Sequence, residues 1–214
     1  YTISDREIGE TLKGVISRCQ GRVIVALFAS SISRIQQIIE IAAFYGRKVV
    51  LTGRSIEVAV GIARSLGYIR IPEGMEVAID DIGNIPDNQV VLITTGSQGE
   101  PMSALARMAT GIHKQIKIRF GDMVILSSKF IPGNEKAIGK IINNLYRRGA
   151  DVIYEKISAI HVSGHAFREE LKLMINLTRP RYFVPIHGEY RHLVLHARLA
   201  EELGIPKNRV KIVE

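Results

Sequence analysis

Short apolar runs alternate with amphipathic helical stretches along almost the whole chain, and this alternation restricts the possible folds more than any other feature. Val23–Ala29 is a continuous apolar run, the pattern of a strand buried on both faces. Ser30 and Ser31 follow as cap candidates, and Ile35, Ile38, Ile39, Ala42 and Ala43 recur at helical spacing until Gly46. Lys48–Thr52 reads as a second strand, followed by a turn at Gly53 and a helix from Ser55 to about Leu66. Residues 70–88 carry Pro72, Gly74, Gly83 and Pro86 and predict an irregular connection. Gln89–Thr95 is a third buried strand, and Pro101 suits the first turn of the helix after it. Strands are then predicted at Met123–Ser127, Asp151–Tyr154, Tyr182–Ile186 and Val210–Val213. Helices are predicted at Glu135–Arg148, Phe167–Leu177 and Tyr190–Leu203. This order predicts an α/β fold, a doubly wound and mostly parallel sheet flanked by helices. A length of 214 residues allows one large domain or two small ones.

Charge is distributed unevenly. Residues 1–100 carry 10 basic and 11 acidic side chains, residues 101–150 carry 9 and 2, and residues 151–214 carry 10 and 8. The net +8 therefore sits almost entirely in fifty residues, including Lys114, Lys117, Arg119, Lys129, Lys136, Lys140, Arg147 and Arg148. A focused positive field suits a polyanion, either nucleic acid or an acidic membrane surface; a solvated basic face is the plainer reading. The single Cys19 has no internal disulfide partner, which fits a reducing compartment. The longest apolar stretch is seven residues, Val23–Ala29, where a membrane-spanning helix needs about 20. The first residue is Tyr1 rather than Met, so a processed or trimmed chain is expected.

Parallel sheets bind ligands beyond the carboxyl ends of their strands, so the loops there are the candidates for chemistry. Gly96-Ser97-Gln98-Gly99-Glu100 could present backbone N–H groups to an anion, or could be a tight turn; it has neither a Walker lysine nor a dinucleotide fingerprint. His161-Val162-Ser163-Gly164-His165-Ala166 offers a hydroxyl, an unshielded amide and an imidazole, a set suited to a phosphate oxygen. Pro185-Ile186-His187-Gly188-Glu189 places a histidine at a predicted strand end, as a metal ligand, an acid/base residue or a hydrogen-bonded turn residue. His192 and His196 share a helix face, but Leu193 stands where a zincin needs Glu, so a structural role is expected. His113 lies in the basic stretch and is expected to face solvent or RNA.

Thr95–Pro101, Ile131-Pro132-Gly133-Asn134-Glu135, His161–Ala166 and Pro185–His192 together resemble the ribonuclease J family, bacterial β-CASP enzymes of the metallo-β-lactamase superfamily. The resemblance covers essentially the whole chain. It implies a β-CASP domain over residues 1–166 and, over 167–214, the segment that returns to the metallo-β-lactamase domain. It implies a zinc-dependent ribonuclease with 5′→3′ exonuclease and endonuclease activity on single-stranded RNA bearing a 5′-monophosphate. Such an enzyme would be cytoplasmic, homo-oligomeric and not membrane-bound. By the same resemblance His187 is a zinc ligand and His165 a catalytic residue at the scissile phosphate. His161, Val162, Ser163, Gly164 and His165 would bind the RNA phosphate, and Ser30 the 5′-phosphate. The family's H-x-H-x-D-H zinc ligands would fall before Tyr1. The chain is thus expected to be a fragment, inactive alone and without stoichiometric zinc, and its alternative role is a non-catalytic RNA or 5′-phosphate binding module. A second rival, a nucleotide-binding enzyme built on Gly96–Glu100, would leave His165 and His187 unexplained.

Overall fold

Five of the predicted apolar runs pair into one parallel sheet: β1 (Val23–Ala26), β2 (Lys48–Thr52), β3 (Val90–Thr94), β4 (Met123–Leu126) and β5 (Asp151–Ile153), in the order β2-β3-β1-β4-β5. The computed structural model describes residues 5–154, 166–188 and 190–213. The chain divides into two compact units, one within Ile3–Val162 and the other within Ser163–Glu214.

In the larger unit, alternate strand residues feed two cores. Val23, Val25, Val49, Val91 and Ile93 pack with Ile38, Ile39, Ile56 and Val60 of α2 (Ile32–Phe44) and α3 (Arg54–Ser65). Ile24, Ala26, Val50, Leu92 and Val124 pack on the other side with Leu105, Met108, Ile138 and Leu145 of α4 (Ala104–Thr110) and α5 (Glu135–Arg147). Burying each such side chain is favourable by about 1.5–3 kcal/mol before chain entropy is counted. The first core is completed by α1 (Asp5–Arg18), which inserts Ile8, Leu12 and Ile16. This helix carries the i, i+4, i+8 signal but is not among the predicted elements; Gly9 and Gly14 interrupt its helix-forming residues.

The predicted irregular connection has a topological task. Val49 N–H donates to Met75 O (2.9 Å) and Val77 N–H to Val49 O (2.9 Å), adding one parallel rung outside β2. The chain then crosses from the α3 face to the other, where Val77, Ile79 and Ile82 join the second core. Without that rung, α3 would carry the chain from β2 to β3 with the opposite hand to the other crossovers. With it, every crossover has the same hand, as parallel sheets require.

The smaller unit is built from α6 (Arg168–Thr178) and α7 (Tyr190–Glu202) around Ile175, Ala200 and Ile205, with Phe183, Leu203 and Val210 at the margin. The strands expected at Tyr182–Ile186 and Val210–Val213 do not form. They reduce to a single bridge, Phe183 N–H to Arg209 O and Lys211 N–H to Phe183 O, both 2.9 Å. Pro185 lacks the N–H a further rung needs, and the 3-10 turn Lys207–Arg209 shortens the partner segment. Among the described residues no helix is long and apolar enough to cross a membrane.

Candidate functional site

The chain leaves β1 and β2 toward one face and β3 and β4 toward the other, so a crevice opens where these exits diverge. It is a cleft of about 430 Å³ lined by Leu27–Ala29 after β1, by Ser55 after β2 and by Thr95, Gly96 and Glu100–Ser103 after β3. Ser30 is exposed one residue beyond this lining. Ser31 occupies the N-cap of α2, yet its side chain makes no capping bond, and Ser30 O instead accepts from Ile32 N–H (2.9 Å). The start of this thirteen-residue helix therefore keeps uncapped amides beside two hydroxyls, an arrangement suited to an anion.

The Thr95–Glu100 loop is a structural clasp. Gln98 is buried; its Nε2 donates to Ser128 Oγ (2.9 Å) and Lys129 O (2.8 Å), and its Oε1 accepts from Ile131 N–H (2.9 Å). One side chain thus fixes the whole loop after β4. Gln98 N–H donates to Glu100 Oε2 (3.1 Å), so a carboxylate already occupies an amide that a phosphate would need. Gly99 (φ 79°) lies against α5 so closely that a Cβ would come within 2.8 Å of Ala137 backbone. These contacts favour the tight-turn reading and remove the basis for the nucleotide-binding rival. The helix beyond starts later than Pro101 suggested, at Ala104, where Ser103 Oγ accepts from Ala106 N–H (3.2 Å).

His113 does not face solvent or RNA. It is 3% exposed, and its Nδ1 accepts from Ile116 N–H (3.1 Å). Burial, then the neighbouring Arg107 and Lys117 charges, push its pKa below the usual imidazole range. The acceptor bond requires the neutral ring, so this histidine is a loop fastener. A second fastener, invisible in the sequence because it joins distant residues, is the buried pair Arg22–Asp122. Arg22 Nε and Nη2 donate to Asp122 Oδ1 (2.8 Å) and Oδ2 (2.6 Å), tying the beginnings of β1 and β4 together.

In the smaller unit His187 is exposed in the left-handed backbone region (φ 72°), with Gly188 (φ 104°) after it. A non-glycine residue there is uncommon and is over-represented at functional sites. His187 lines a cleft of about 570 Å³ with Arg168, His192, His196, Arg198 and Glu202. A Cβ on Gly188 would crowd the His192 ring, lying 3.0 Å from its Nδ1. His196 stands edge-on to Phe183 (4.9 Å between ring centres), and burial lowers its pKa, in keeping with the packing role expected of it. Among the described residues no three His, Cys, Asp or Glu side chains converge as a zinc centre needs. The described residues therefore do not by themselves make a metal site. His161, Val162, Ser163, Gly164 and His165 lie outside the described residues.

Comparisons with known proteins match this arrangement from end to end. A family model described as "Ribonuclease J, beta-CASP domain" covers residues 20–145, and one described as "Zn-dependent metallo-hydrolase RNA specificity domain" covers residues 149–212. Ribonuclease J 1 of Streptococcus pyogenes serotype M3 is 44% identical over 214 residues, which is 100% of this chain and 38% of that protein. Ribonuclease J of Synechocystis sp. is 46% identical over 212 residues, covering 99% of this chain and 33% of that protein. Ribonuclease J of Thermus thermophilus is 47% identical over 214 residues, covering 100% and 37% respectively. The chain thus spans about a third of the length of these curated relatives. A parallel sheet with its crevice at the carboxyl edge, matched over β1–β5 and onward through α7 at this level of identity, places the chain in the ribonuclease J family, as a β-CASP domain followed by its RNA-specificity segment.

Proposed function

We propose that this chain is the RNA-gripping part of a cytoplasmic, zinc-dependent ribonuclease that acts on single-stranded RNA from a 5′-monophosphate end and also cuts internally. The observation that carries the reading is the backbone of His187. An exposed imidazole is held at φ 72°, a conformation that costs free energy, at the position where the family resemblance expects a zinc ligand. His187 would supply one neutral nitrogen donor, with the remaining ligands coming from outside the described residues. Ser30 and the uncapped start of α2 would hold the 5′-phosphate. His161–His165 would hold the scissile phosphate, with His165 returning a proton to the departing oxygen. Residues 1–166 would form the β-CASP part and 167–214 the returning segment. Alone, the chain would bind RNA without cleaving it.

The test uses this chain as purified, with zinc content and a 5′-monophosphorylated single-stranded RNA. The expected result is tighter binding than to the 5′-hydroxyl RNA, a preference lost in Ser30→Ala, with no stoichiometric zinc and no turnover. Equal affinity for the two RNAs would refute the phosphate pocket. Bound zinc with cleavage that disappears in His187→Ala would show that the chain completes its own metal centre, against the incompleteness proposed.

A further inference from the structure

The basic block of residues 101–150 does not form one surface. Helix α5 runs antiparallel to the strands and is roughly 20 Å long. Lys129, Lys136 and Lys140 lie toward the carboxyl edge of the sheet, where the crevice is, whereas Lys114, Lys117, Arg147 and Arg148 gather at the amino edge. The latter group has an internal order. Lys117 Nζ donates to Gly111 O (2.6 Å), and Arg148 Nε to Ala109 O (2.7 Å), so both cations converge on the carboxyl end of α4. A Cβ on Gly111 would fall 2.5 Å from Arg148 Nη2, so the guanidinium lies flat against this glycine. Among the described residues neither cation has a carboxylate partner, in contrast to Arg119, which pairs with Asp87. Arg147 Nη1 donates only to the neutral Asn144 Oδ1 (3.0 Å), and Lys114 is exposed. Nearby exposed acids without an ion pair are Asp151, at the start of β5, and Asp80, which accepts from Gln115 Nε2 (3.4 Å) next to Lys114.

Beside these cations stands Phe120, 92% exposed, the most exposed large apolar side chain among the described residues. Its backbone and ring lie against Gly149, where a Cβ would come within 3.1 Å of Phe120 Cα and 3.3 Å of the ring. Gly149 follows Arg148 directly, so Phe120 packs on the backbone next to the residue whose guanidinium anchors on α4. Capping α4 explains one hydrogen bond from each of Lys117 and Arg148. It does not explain a fully solvated phenyl ring, nor two further cations without acidic partners. An aromatic platform flanked by backbone-anchored cations is the arrangement that binds single-stranded nucleic acid, with cations along the phosphates and a base stacked on the ring.

We propose that Phe120, Lys114, Lys117, Arg147 and Arg148 form a second RNA contact at the amino edge of the sheet, at the opposite end from the crevice. The proposal rests on the reading of the chain as an RNA-binding part of a ribonuclease. It adds that a bound strand is held at two places, and that the second hold is indifferent to the chemistry of the 5′ end.

The test measures binding by fluorescence anisotropy for a tetranucleotide and for an RNA of roughly twenty nucleotides, each with a 5′-monophosphate or a 5′-hydroxyl. The proteins are the unaltered chain, Phe120→Ala, the double variant Lys114→Ala with Arg147→Ala, and Ser30→Ala; circular dichroism confirms that each is folded. Phe120→Ala should weaken the long RNA about tenfold and leave the tetranucleotide unchanged. The double variant should also weaken only the long RNA and flatten its salt dependence, by about 0.7 in log–log slope for each phosphate no longer neutralised. Long-RNA affinity unaltered by both changes would overturn the proposal, as would a patch that takes up a protein partner while RNA binding is unaffected. The two readings fail differently. If Ser30→Ala leaves all affinities unchanged while Phe120→Ala does not, the 5′-phosphate pocket is wrong and the second contact stands.

Discussion

The two units solve the problem of burial in opposite ways. In the larger one, a sheet apolar on both faces is covered on both faces, and Val23, Val25, Ile24 and Leu92 are almost wholly removed from water. The smaller one buries six apolar side chains among its described residues, only three of them in one core cluster, and leaves Leu177, Met174, Val184, Leu195 and Ile186 exposed, the last of them by 79%. A parallel sheet that places helices on both sides is self-sufficient. A helix pair closed by a single bridge exposes apolar surface of the kind that marks an interface. The larger unit thus has an extensive core on each face of its sheet, and the smaller one a single small core.

That contrast predicts where substitutions act. Asp122→Ala should have the largest effect, because it leaves the Arg22 guanidinium buried and unpaired; a loss of about 3–5 kcal/mol is expected. Urea unfolding checks the size, and amide exchange checks that α6 and α7 are unaffected; equal loosening of both units would break the comparison. Gln98→Ala removes three side-chain bonds and strands Ser128 Oγ, Lys129 O and Ile131 N–H, for a cost of about 2 kcal/mol. The same two measurements apply, with faster exchange localised to the loop after β4.

A gentler effect comes from His113. Its pKa is lower in the fold than in the unfolded chain, so the unfolded state binds the proton first as the solution is acidified. Its contribution is therefore complete above about pH 6.5 and is lost as the pH falls from there through the depressed folded-state value. His113→Gln should flatten the stability profile of the larger unit in that window, and an unchanged slope would show that the ring is not kept neutral. The smallest change in stability is expected for Ile186→Ser, within about 0.5 kcal/mol, because this side chain packs against little. Self-association measured by sedimentation should nevertheless fall; unchanged association would mean that the exposed face is not sticky.

Much of this architecture is readable from the residues because the signals are local. Lys48–Thr52 is placed to the residue, and the other strands of the sheet to within a few, since a run buried on both faces needs no knowledge of its neighbours. The two strands expected around Phe183 and Val210 fail for the same reason in reverse. Apolar, β-branched composition shows that a segment fits a sheet, but not that a partner is long enough to pair with it. Helix α1 carries a correct signal that two glycines dilute. The clasp of Gln98 and the Arg22–Asp122 pair join residues far apart in sequence and leave no local trace. Of the candidate site, the resemblance supplies Ser30 and His187 as names. Only the backbone shows that Ser31 leaves the helix start uncapped and that His187 stands in a conformation usual for glycine.

The central position of β1 has a consequence for how the chain is made. This strand pairs not with β2, the next one along the chain, but with Val90–Thr94 and Met123–Leu126, which emerge much later. The ribosome must therefore release roughly a hundred further residues before Val23–Ala26 has both neighbours, and until then an all-apolar strand keeps an unpaired edge. Such long-range closure slows folding and lengthens exposure to aggregation. On these grounds the β4 segment completes the domain: a nascent chain halted before Met123 should be captured by chaperones, and one extended past Ile153 should not.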